Sequence, residues 1–422
     1  MAIPSISEAW SSLIKHSALV LALKVAGALG GYAFTFIAIK YFGLAAYGEF
    51  ELAFTMVFIM AVLAKWGYDG VLLRELPAHG EFSVDNQRLQ TAVLRAAAVM
   101  ALAFSGLIFL LRFHLASLFD MPGLAEGLKP AALLLLPWTL MLIHAEVHRA
   151  RGNMVHYGLR QSSMVLGLAA ITIWFWPRED ISPMWYILIA VLPLLSLSGM
   201  RLLMLGQSSW SSWKAHRKTA TAMFLSGILF MVMSWSDTLL VGYYMDAADV
   251  GLYRVAFKVA TLITFTQFAV NAKLAPDIAA LWAQNKPKEL QSSIHRVAWL
   301  NATIAIPATL MLWIFGPWML GLFGEAFIPL YPVMMLLCIG QLVNALCGPV
   351  MYLLNMTGHE AIAQRTMLVA MLVNLMANVI LIPLMGLMGA AIATSLSMVL
   401  WNVWALVAVR RHTGIRTLFF WR

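Results

Sequence analysis

Twelve apolar runs, each near the ~20 residues that cross a hydrocarbon core at 1.5 Å per residue, divide this chain. They lie at approximately 17–41, 48–73, 88–112, 128–150, 157–176, 183–205, 219–245, 250–275, 294–316, 328–355, 362–384 and 387–409. Lipid offers no partner to a backbone N–H or C=O, so segments of this length must satisfy their own as helices. The expected fold class is therefore an all-α polytopic membrane protein with about twelve transmembrane helices. Composition agrees: 62% of the 422 residues are hydrophobic and 11% are charged, against about 25% charged in an average soluble domain. The N-terminal "MAIPSISEAWSSLIKHS" has no short apolar core followed by a small-residue cleavage site. It is expected to lead into an uncleaved first helix.

The net charge of +9 invites a nucleic-acid reading, but its distribution assigns it elsewhere. With the N-terminus inside, inner segments hold nineteen of the 28 lysines and arginines, outer segments hold six, and Lys24, Lys65 and Lys273 lie within spans. That bias places both termini in the cytoplasm and removes the need for a polyanion partner. Cys338 and Cys347, nine positions apart on one apolar run, would be about 13 Å apart on a helix, too far for a disulfide. No spacing of His, Cys, Asp or Glu suggests a metal site, and no G-x-x-x-x-G-K-[ST] loop is present for ATP. No cofactor is expected.

The chain repeats itself. "FGLAAYGEFELAF" (42–54) aligns with "MDAADVGLYRVAF" (245–257) at an offset of 203, sharing Ala45/Ala248, Gly48/Gly251, Ala53/Ala256 and Phe54/Phe257. Each stretch turns out of an odd span into an even one. Two six-span halves keep the same orientation, which makes this a parallel repeat about an axis along the membrane normal. The expected domains are an N-terminal six-helix bundle (1–205), a cationic cytoplasmic linker (206–218) and a C-terminal six-helix bundle (219–422), enclosing a central cavity.

Several stretches in this order resemble the polysaccharide-exporter branch of the multidrug/oligosaccharidyl-lipid/polysaccharide exporter superfamily, the Wzx-type flippases. They are "YFGLAAYGEFELAF", "KWGYDGVLLREL", "SDTLLVGYYMDAADVGLYRVAFKVA", "LAPDIAAL" and the C-terminal series from "GEAFIPLYP" to "GLMGAAIATSLS". The resemblance implies two bundles in a V-shaped or closed arrangement in the bacterial cytoplasmic membrane. It also implies transfer of an undecaprenyl-diphosphate-linked oligosaccharide (an O-antigen, capsule or exopolysaccharide unit) from the inner to the outer leaflet. Other glycan-assembly membrane proteins are the implied partners. It does not fix the sugar, and no strict site motif carries over.

Charges inside the spans are the candidate site, because each is costly in lipid and tends to face a cavity or a partner. Candidate ligands for a diphosphate are Lys24, Lys65, Arg254, Lys258 and Lys273; candidate coupling acids for protons or sodium are Asp69, Glu146 and Asp237. Each also has a plainer reading. Lys65 and Asp69, four apart, can neutralise each other. Lys273 can snorkel to the interface. Glu146 can join a local network with His148 and Arg149, and Asp237 can be the counter-ion of Arg254. Lys24 has no acid in its own span, while Arg254 and Lys258 are like charges at i,i+4, a costly pairing unless an anion or acid intervenes. These three favour an anion.

Two other classes fit less well. A membrane-embedded glycan polymerase or ligase needs catalytic groups on large outer loops, and the longest here is about "RFHLASLFDMPGLAEGLK". A drug/cation antiporter of the same superfamily would favour carboxylates over cations in its cavity. The peptidoglycan-precursor exporter branch usually carries two more C-terminal helices than the twelve expected here.

Overall fold

A computed structural model describes residues 6–78, 84–160, 162–178, 180–195, 206–207, 210–264, 267, 274 and 277–418; in the first helix, side chains are described at Leu23 and from Val25 onward. Regular structure among these residues is helical, with no strand. The helices in chain order are α1 (Ile6–Lys65), α2 (Tyr68–Ala78), α3 (Val84–Leu118), α4 (Leu124–Ala150), α5 (Met154–Leu159), α6 (Ser162–Phe175) and α7 (Met184–Val191). They continue with α8 (Trp210–Ala215), α9 (Arg217–Tyr244), α10 (Ala247–Ala260), α11 (Pro287–Gly321), α12 (Tyr331–Cys347), α13 (Val350–Met356), α14 (Glu360–Met385) and α15 (Leu387–Thr413).

The breaks follow local chemistry. Helix α1 holds two spans joined at Gly43, whose φ of 82° and ψ of 168° a side chain would disfavour. At the repeat-equivalent position Asp246 separates α9 from α10, and its side chain accepts the Asp249 N–H at 2.8 Å as an N-cap. Trp66 and Gly67, both with positive φ, turn the chain from α1 into α2. Gly348, with φ 75°, ends α12 ahead of Pro349. Among the described residues, eight helices are long and apolar enough to cross a membrane, one of them the 41-residue stretch Val25–Lys65 that Gly43 divides. With the shorter apolar helices Met164–Phe175 and Met184–Leu194, these are consistent with the twelve-helix fold expected from the sequence, whose 250–275 run lies partly outside the described residues.

The chain divides into two compact units, Met1–Ile228 and Leu229–Arg422. In unit 1, α1 packs against α4 and α6, and α3 against α4. Its centre is aromatic: the Trp138 ring lies 5.2 Å from Phe54 and 5.3 Å from Phe58, edge-on to both, and Phe34 lies 5.0 Å from Phe50. The α8 segment is clasped to the same unit. Trp213 stacks on Tyr68 at 5.2 Å, its carbonyl accepts the Tyr68 hydroxyl at 2.9 Å, and Arg95 donates to the Gly206 carbonyl at 2.8 Å.

Unit 2 is built on α15, against which α12 and α14 pack. Helix α14 shows the pattern expected in lipid. It buries Ala363, Thr366, Ala370, Asn374 and Asn378 while exposing Leu372, Met376, Ile380 and Leu384. Hydrocarbon solvates large apolar side chains as well as a protein core does, so small and polar residues are the ones turned inward. Cys338 and Cys347 are buried free thiols.

Candidate functional site

The most elaborate buried polar cluster lies in unit 2, where α9, α10, α14 and α15 meet. Asp237 on α9 is 1% exposed. Its Oδ1 accepts the Thr238 N–H at 2.7 Å and the Thr238 hydroxyl at 3.3 Å; its Oδ2 accepts the Tyr253 hydroxyl at 2.9 Å and the Thr394 hydroxyl at 3.4 Å. A carboxylate withdrawn from water needs such donors to remain charged. The polar seam continues along α14: Ser236 donates to Asn374 at 2.9 Å, Asn374 donates to Ser397 at 3.1 Å, and Asn378 donates to the Asn374 carbonyl at 3.0 Å.

Arg254, also buried, holds its guanidinium 4.7 Å from the Trp235 ring centroid and 5.8 Å from that of Phe257. Its charge bears on Asp237. Lys258 follows one turn later on the same helix and is half-buried. Periodicity and charge therefore brought Asp237, Arg254 and Lys258 into view, but missed the neutral residues that complete the cluster. Asn374 and Asn378, two amides four apart in an apolar run, were the available signal; Tyr253 and Thr394 carried none.

Unit 1 has a smaller counterpart. The Thr35 hydroxyl donates to the Gly31 carbonyl at 3.0 Å and lies 3.2 Å from the Tyr47 hydroxyl, which hydrogen-bonds Glu51. The 203-residue offset pairs Thr35 with Thr238 and Glu51 with Arg254. Both halves thus bury a tyrosine and a carboxylate at this joint, with the acid on opposite helices of the pair.

A third group occupies the end of unit 1 where α1 gives way to α2. Lys65 and Asp69 close an i,i+4 ion pair at 2.6 Å across the Trp66–Gly67 turn. Glu146 on α4 accepts from Arg149 at 3.3 Å and lies within electrostatic range of both members of that pair. Lys24 is carried on α1, but its side chain lies outside the described residues, as does Lys273 altogether. Among the described residues no set of three or more His, Cys, Asp or Glu side chains is placed to hold a metal ion.

A family profile described as "Polysaccharide biosynthesis protein" matches residues 41–332. Two proteins of Haloferax volcanii are similar in sequence. A probable flippase, AglR, is 28% identical over 198 residues, covering 46% of this chain and 41% of that protein. A probable low-salt glycan biosynthesis flippase is 29% identical over 168 residues, covering 39% of this chain and 35% of that protein. The matches thus span about two fifths of the length of these curated relatives. Among solved structures, the lipid II flippase MurJ in an inward closed conformation superposes with a TM-score of 0.75 at 14% identity, covering 94% of this chain and 87% of that one. An inward-facing multidrug resistance MATE transporter gives 0.69 at 13% identity, covering 94% and 98%. At such identities the likeness is one of fold.

Proposed function

Because the chain belongs to the polysaccharide biosynthesis protein family, we propose that it is a flippase for a lipid-linked glycan, working by alternating access between two bundles. The observation that carries this reading is the family match over 41–332, reinforced by two sequence relatives named as flippases. The substrate class is an undecaprenyl-diphosphate-linked oligosaccharide, moved from the inner to the outer leaflet of the bacterial cytoplasmic membrane. The domains are the bundles 1–205 and 219–422 with 206–218 as a cytoplasmic linker, and the nineteen-to-six charge bias keeps both termini in the cytoplasm.

In this proposal Lys24, Lys65, Arg254, Lys258 and Lys273 supply the cations that meet the diphosphate, whose oxygens suit ammonium and guanidinium groups. Asp69, Glu146 and Asp237 are the acids available to exchange a proton or sodium ion. Outward movement of negative charge is itself favoured by an inside-negative potential, by about 2.3 kcal/mol per charge per 100 mV. Bulk transfer without group chemistry needs no catalytic residue, and none is assigned.

A drug/cation antiporter is the second reading, favoured by one observation: Asp237 is a deeply buried carboxylate in a fold shared with a multidrug transporter. The test is complementation. The gene is returned to a strain that lacks it, and surface glycan is measured beside resistance to cationic drugs. Restored glycan with unchanged resistance upholds the flippase; restored resistance with no glycan effect overturns it.

A further inference from the structure

The turn between α4 and α5 gathers two guanidiniums, Arg151 and Arg160, that the proposed transport site does not use, beside a group of histidines. "HAEVHRARGNMVHYGLR" (144–160) brings three histidines and three arginines to one end of unit 1. The His148 and His156 rings stack with centroids 5.1 Å apart, and the His156 Nδ1 lies 2.9 Å from the Asn153 Oδ1. Arg160 donates through Nη1 to the His156 carbonyl at 3.2 Å, and Arg151 donates through Nη2 to the Gln90 Oε1 at 3.3 Å. Neither contact neutralises a charge. In both arginines the Nε is buried with no hydrogen-bond partner.

The charges of Arg151 and Arg160 both bear on His144 and His148. The acid that is present, Glu146, is engaged by Arg149, whose guanidinium leans over the Tyr157 ring at 5.5 Å. Two guanidiniums that act on the same histidines repel one another, and a buried guanidinium N–H without an acceptor is an unmet hydrogen bond. Both deficits are relieved by the same occupant, an oxyanion with several acceptor oxygens. Arginine forks match phosphate in shape as well as charge.

We propose that Arg151, Arg160, His148 and His156, backed by the buried His144, form a phosphate site that captures the diphosphate of the lipid-linked substrate before transport. The oxyanion chemistry stands on the cluster itself; the identity of its owner rests on the flippase reading above. Location agrees, since Leu23 on α1 packs against Gly158 of α5, and the next residue along α1 is Lys24.

The experiment uses the full-length chain purified in detergent. Affinity for inorganic pyrophosphate and for farnesyl diphosphate is measured by calorimetry in the unmodified protein, in R151Q/R160Q, in R151K/R160K and in the control R178Q, whose guanidinium pairs with Asp180 elsewhere. Expected are a tenfold or greater loss for both ligands in R151Q/R160Q, a smaller loss in R151K/R160K, and no more than a twofold change in R178Q. An equal affinity in the unmodified chain and R151Q/R160Q overturns the site, provided both elute as folded monodisperse protein. If R151Q/R160Q does not fold, R151K/R160K and H148Q/H156Q decide by the same criterion. In nanodiscs, a loss of phosphatidylglycerol affinity with unchanged farnesyl diphosphate affinity overturns the assignment to substrate in favour of a bilayer lipid. Complementation separates the two readings. Pyrophosphate binding lost in R151Q/R160Q without glycan export by the unmodified chain leaves the site standing and ends the flippase; export with unaltered binding does the reverse.

Discussion

Tyr253 joins three helices through one oxygen: it donates to Asp237 on α9 and lies 3.1 Å from the Thr394 hydroxyl on α15. Interhelical hydrogen bonds in membrane bundles contribute about 0.6 to 1.7 kcal/mol each, so Tyr253→Phe should destabilise unit 2 by about 1 kcal/mol. A lowered midpoint of denaturant unfolding in detergent would show it, and an unchanged midpoint would mean that Thr238 and Thr394 satisfy the carboxylate without help. The Lys65–Asp69 pair makes a different kind of prediction. Its side chains are 14% and 24% exposed, so removing one partner strands a charge in a poorly solvated place. Lys65→Gln and Asp69→Asn should each lower the amount of folded protein, and K65Q/D69N should recover part of the loss. A double variant as poor as the sum of the singles would indicate that the two charges act on separate partners.

Helix packing is where single small residues matter most. A Cβ added at Gly340 on α12 would lie 3.0 Å from the Ser395 Cα on α15, so the two backbones meet there without side chains between them. Gly340→Leu should force the helices apart and cost about 1–3 kcal/mol, as overpacking does in other cores; unfolding measured in detergent checks it. The sequence shows such helices well and their joints less well. Spans are legible because a run of about twenty apolar residues has few alternatives in lipid. The Gly43 and Gly348–Pro349 breaks fall at residues that disfavour continuing a helix. The Trp66–Gly67 turn is hidden inside the 48–73 run, because one glycine beside a tryptophan does not interrupt apolarity. The site divides the same way. An intramembrane Asp237 or Arg254 is conspicuous against apolar neighbours, whereas Tyr253, Thr394 and the α14 amides are ordinary helix residues until the fold stacks them around a carboxylate. The histidine–arginine turn was visible as a sequence but read as a local network, since only the packing reveals that its one nearby acid is already engaged.

At the scale of the whole chain the charge bias and Lys24 make linked predictions. With both native thiols buried, a C338A/C347A background permits labelling at new cysteines. Ser211→Cys should react only with permeant maleimides and Ser182→Cys with impermeant ones; the opposite pattern would invert the topology and with it the direction of transport. If that topology holds, Lys24 lies on the first span about 10 Å from the cytoplasmic end at 1.5 Å per residue, beyond the α4–α5 turn on the inward path of a diphosphate. Lys24→Ala should then abolish glycan export while leaving folded protein in the membrane, because deleting an intramembrane charge that has no acid in its own span (17–41) relieves a solvation cost. Lys24→Arg should keep partial export, since the charge remains but the broader guanidinium prefers bidentate geometry. Lys24→Glu should be inactive through repulsion of the phosphates. A structural lysine paired to Asp69 or Glu146 predicts otherwise: alanine would lower the amount of folded protein, and neutralising the acid would restore some of it. Surface glycan and membrane protein measured on the same cells distinguish these outcomes, and normal export by Lys24→Ala would remove Lys24 from the transport path.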